Sequence, residues 1–128
     1  MSLDARELRY GNWVVINGSR MQVTALGIHS IGEGASTGDP VPLTPEILDK
    51  CGFMSHPVET YYTKNLFDKG GLVGTLAIEM TDYSFAISDS FDTIMETHRF
   101  AAGHKLDYLH KLQNLYYALT GQELNYQS

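Results

Sequence analysis

Leu106-Asp-Tyr-Leu-His-Lys-Leu-Gln-Asn-Leu-Tyr-Tyr-Ala-Leu-Thr-Gly121 is the stretch on which the fold turns. Leu109, Leu112, Leu115, Tyr116 and Leu119 recur at three- and four-residue steps, which gathers them into one apolar stripe on a helix. Gly121 supplies a residue without a Cβ, suited to the left-handed conformation that closes a helix. The spacing predicts a helix over about residues 106–120, with Asp107, Lys111, Asn114 and Ala118 on the wet side. His110, Gln113 and Tyr117 fall on the shoulder between the two faces. A stripe of this kind has to bury itself, so the rest of the chain must supply a core.

The chain has the means to do so. At 128 residues, with 43% hydrophobic and 19% charged residues, its composition is that of a folded domain. One cysteine, Cys51, leaves no intrachain disulfide, as expected in a reducing compartment. No run approaches the roughly 20 apolar residues that span a bilayer, and no basic-then-apolar leader opens the sequence. The expectation is a cytoplasmic protein with no membrane association.

Upstream, Asn17-Gly18 is a two-residue hairpin signal, since both central positions of a type I′ turn need positive φ. It predicts paired strands over residues 13–16 and 21–26, with Met21, Val23 and Ala25 inward and Gln22 and Thr24 outward. This β module, about residues 7–30, has a small SH3-like barrel as its candidate form. Residues 27–40 carry four glycines among Ser, Thr, Asp and Glu and read as a loop. Thr44, Pro45, Glu46 and Gly52 are start and stop signals for a helix over about residues 44–52, with Ile47, Leu48 and Cys51 inward. Alternation predicts three strands at about 58–66, 72–80 and 83–88, with Leu72, Val73, Leu76, Ile78 and Met80 on one face. Residues 89–104 fit either a helix or a strand. The sum is one α+β domain: an antiparallel N-terminal β module, additional strands and two helices.

Three islands resemble a group of small, uncharacterised bacterial proteins found mainly in prophage-like regions. They are Glu7-Leu-Arg-Tyr-Gly-Asn-Trp-Val14, Pro42-Leu-Thr-Pro-Glu-Ile-Leu-Asp-Lys-Cys-Gly-Phe53 and Tyr108-Leu-His-Lys-Leu-Gln-Asn-Leu-Tyr-Tyr-Ala-Leu-Thr-Gly-Gln-Glu-Leu124. The resemblance covers about a third of the chain and implies a phage or mobile-element origin. It brings no activity and no catalytic residues. The acidic stretch from Asp68 to Glu96 departs from the pattern.

Charge and motif content narrow the function. Net charge is −6, and residues 33–96 hold eleven acids against three lysines. Such a middle repels phosphate and disfavours nucleic-acid binding by the whole surface. The positive charge near the N-terminus is Arg6, Arg9 and Arg20, beside Tyr10 and Trp13; together these form the candidate nucleic-acid patch, with base stacking on the rings. Tyr61, Tyr62, Tyr116 and Tyr117 are further candidate platforms.

The histidines, at 29, 56, 98, 104 and 110, lack the spacing of a zinc site. His104 and His110 would lie 240° apart on a helix, and Asp107 with His110 lacks a nearby third ligand. Gly32-Glu-Gly-Ala-Ser-Thr-Gly38 has no following Gly-Lys-Ser/Thr to hold phosphate. There is no Gly-x-Ser-x-Gly elbow, no carboxylate pair set for acid–base work, and no base beside Cys51 in sequence. No cofactor, metal or catalytic set is expected. His110, Gln113 and Tyr117 either fix the helix register as satisfied core-edge groups or line a small groove for a peptide or ligand. The resulting expectation is a non-enzymatic interaction or accessory protein of phage or prophage origin with a protein partner. A nucleic-acid-binding module built on the N-terminal strands is the alternative. Oligomeric state is left open by the sequence.

Overall fold

The computed structural model describes residues 8–16, 18–24, 28, 38–55, 61–68, 70–88 and 105–126. Its elements in chain order are β1 (Trp13–Ile16), β2 (Ser19–Gln22), β3 (Asp39–Pro40), α1 (Pro45–Lys50), β4 (Met54–Ser55), β5 (Tyr61–Asp68), β6 (Gly71–Glu79), β7 (Phe85–Ser88) and α2 (Leu109–Thr120). Among the described residues two antiparallel sheets and the helices α1 and α2 make this an α+β fold. The chain divides into two units: Met1–Pro42 with Tyr108–Leu115, and Leu43–Asp107 with Tyr116–Ser128.

The first unit holds the sheet β2–β1–β3. Its hairpin register pairs Ile16 with Ser19, bracketing a two-residue connection in which Gly18 has φ +80°. Asn17 lies outside the described residues. The second strand runs over Ser19–Gln22, earlier than the 21–26 expected, because the tight turn starts pairing at once. Val23 is buried as expected, but Met21 is 44% exposed. Asp39 and Pro40, read from sequence as loop, form β3 against Val15 and Val14. An edge position tolerates the missing N–H of Pro40. Among the described residues the sheet is open; no closed barrel is formed.

The second unit holds α1 and the sheet β4–β5–β6–β7. Thr44 Oγ1 accepts from the Ile47 N–H at 3.2 Å, and Pro45 opens the first turn. At the other end the Phe53 N–H reaches the Leu48 carbonyl and the Gly52 N–H reaches that of Asp49, a Schellman closure with Gly52 at φ +86°. Ile47, Leu48 and Cys51 are buried, as the spacing predicts.

Strand β6 is buried at every residue from Gly74 to Ile78, so both faces of this central strand are covered. Leu72 and Val73 are exposed at 58% and 42%, against the expectation that they join the inward face. The register shows why. Leu66 pairs with Gly74 but Phe67 with Leu72, so a bulge at Val73 turns the end of the hairpin outward. Residues 25–27, 29–37 and 89–104 lie outside the described residues.

Helix α2 begins at Leu109, three residues later than its periodicity suggests. Residues 105–108 are held extended by strand-like bonds. Lys105 bridges Ser84, the Leu106 N–H donates to the Tyr83 carbonyl, the Leu43 N–H donates to that of Asp107, and Tyr108 bridges Pro42. The helix ends as expected, with Gly121 at φ +71° donating to the Tyr117 carbonyl at 2.8 Å.

The buried face of α2 is rotated from the leucine stripe. Leu109, His110, Leu112, Gln113, Tyr116 and Thr120 are buried, whereas Leu115 and Leu119 are half-buried. Leu112→Ala should therefore cost about 2–5 kcal/mol, the range for emptying a packed leucine site. Leu115→Ala should cost clearly less, and urea denaturation of the two variants side by side measures the difference.

Candidate functional site

In the first unit, groups from Gly11, Asn12 and Trp13 converge on Gln113 of α2. Gln113 is 2% exposed, and its Oε1 accepts from the Trp13 N–H at 2.8 Å and from Asn12 Nδ2 at 3.5 Å. Its Nε2 donates to the Gly11 carbonyl at 3.4 Å. One side chain thus answers the backbone of Gly11 and Trp13, where the chain enters β1. The fully buried Asn12 donates to Asn114 Oδ1 at 3.0 Å, and its own Oδ1 accepts from the Arg9 N–H. Arg9 spans the same group, with Nε on Asn114 Oδ1 at 3.2 Å and Nη2 on the Gln113 carbonyl at 3.3 Å.

Of the residues singled out by sequence, the structure brings together Gln113, Arg9 and the backbone of Trp13. His110 is buried on the same helix, its ring stacked on Tyr108 with centroids 6.1 Å apart and planes 12° from parallel. Lys111 Nζ lies 5.4 Å from the centroid of that tyrosine ring. Tyr117 belongs to the second unit and is 44% exposed. Arg20 lies on β2 at an exposed position, and Arg6 lies outside the described residues. His29, His56, His98 and His104 lie outside them as well. Among the described residues no group of three His, Cys, Asp or Glu is placed to hold a metal ion.

The geometry around Gln113 is that of a polar clamp: its carboxamide is filled on both sides by this chain's own groups. A reactive centre is not built at Cys51 either. The thiol is buried and its pKa is pushed up to about 11, chiefly by desolvation, with the nearby Lys64 ammonium opposing the shift.

Sequence reasoning missed a groove in the second unit. It has a volume of about 240 Å³ and is lined by Gly52, Met54, Thr63, Lys64, Asn65 and Phe67. β4 pairs with β5 only through Met54↔Thr63 and Ser55↔Tyr62. Before Met54 the chain leaves the sheet through Gly52 into α1, while β5 continues to Asp68. From Lys64 to Asp68, then, β5 has β6 on one side and no described strand on the other. Met54 and Phe67, 72% and 52% exposed, flank the groove. The Lys64 Nζ lies against Gly52, only 2.8 Å from where a Cβ on that glycine would sit. The legible signal was thin: two large apolar residues, Met54 and Phe67, on either side of alternating polar ones.

No helix among the described residues is long and apolar enough to cross a membrane. Comparison with family models, curated proteins and solved structures finds no match to this chain.

Two outcomes follow from these environments. Gln113→Leu removes the acceptor of the Trp13 N–H and should destabilise the fold by about 1–3 kcal/mol. Tyr117→Ala, at an exposed position, should stay within about 0.5 kcal/mol of the parent; chemical denaturation of both variants checks the contrast. Cys51, with its folded pKa raised to about 11, contributes stability that is complete below the pKa of an unfolded thiol. That contribution is lost as pH rises from about 8.5 toward 11. The pH-dependent fall should be shallower in Cys51→Ala over that window, as read by urea midpoints.

Proposed function

We propose that this chain is a non-enzymatic interaction or accessory protein of phage or prophage origin, acting in the cytoplasm by engaging a protein partner. The observation that carries the reading is a groove beside β5, along which no described strand pairs from Lys64 to Asp68, flanked by exposed Met54 and Phe67. A sheet edge offers unpaired backbone donors and acceptors, and proteins that do not use such an edge normally cover or blunt it. Exposed apolar side chains around it point to a protein surface as the complement. The buried, high-pKa thiol of Cys51 lends support to a role without covalent catalysis. The phage origin rests on the resemblance of the three sequence islands.

A nucleic-acid-binding role for the N-terminal strands is the weaker reading. Arg9, one of its three arginines, has Nε and Nη2 turned to Asn114 and to the Gln113 carbonyl. The overall charge of −6 opposes a polyanion.

A pull-down of the tagged chain from lysate of its host, divided into nuclease-treated and untreated halves, tests the two readings. Specific protein recovery that survives nuclease treatment is the expected result. Recovery abolished by nuclease, or by moderately raised salt, would overturn it in favour of Arg6, Arg9 and Arg20 as phosphate contacts.

A further inference from the structure

We draw no further inference here: the strongest candidate, the exposed apolar patch of Phe67, Leu72 and Val73 at the turn end of the β5–β6 hairpin, carries none because nothing in the structure shows what covers it.

Discussion

A buried carboxamide has to be answered on both its oxygen and its nitrogen, and that constraint organises the first unit. Gln113 is sunk in the inner face of α2, where an unmet amide would cost more than the hydrogen bonds it forms contribute. Its answers come from Gly11, Asn12 and Trp13, a hundred residues earlier. The start of β1 is thereby tied to one turn of one helix, and Arg9 and Asn114 close the group from outside. A helix that slid or rotated by one residue would break several of these bonds at once. The leucines drive burial, and the carboxamide selects the register.

This division explains which parts of the fold were legible in the sequence. The existence of α2, its glycine closure and the capped turn at Thr44 and Pro45 are local matters, written in propensity and spacing. The start of α2 is not local. Residues 106–108 have helical periodicity, yet Tyr83, Pro42 and Leu43 take their backbone groups into extended pairing. The inner face of the helix shifted for a related reason. A hydrophobic stripe weights leucines and passes over a glutamine whose hydrogen bonds are made by distant residues, so Leu115 and Leu119 were read too deep and His110 and Gln113 too shallow. Met21, Leu72 and Val73 show the same limit in strands, where alternation predicts a face but a bulge or an early turn decides whether that face is covered.

The candidate site was the least legible part. Gln113 stands out in the sequence as a polar residue at the core edge and Arg9 as part of a candidate nucleic-acid patch, and they meet, but as a clamp whose bonds stay within the chain. The groove arises where β4 is two residues long and β5 is eight, with Gly52 joining α1 to the start of β4. Among the described residues, this mismatch in strand length leaves Lys64 to Asp68 without a second strand, and it is set by where α1 must end. The absence of a Cβ at Gly52 allows both the positive φ of the closure and the approach of the Lys64 ammonium. One glycine therefore finishes a helix, leads into β4 and leaves room for a charge beside the groove.

The central claim is that β5 is an edge kept for a partner, and amide hydrogen exchange of the chain alone and with its captured partner tests it most directly. The account predicts fast exchange at alternate amides between Lys64 and Asp68 in the free chain, and protection of those amides in the complex. Unchanged exchange along β5, with new protection confined to the N-terminal strands, would contradict it.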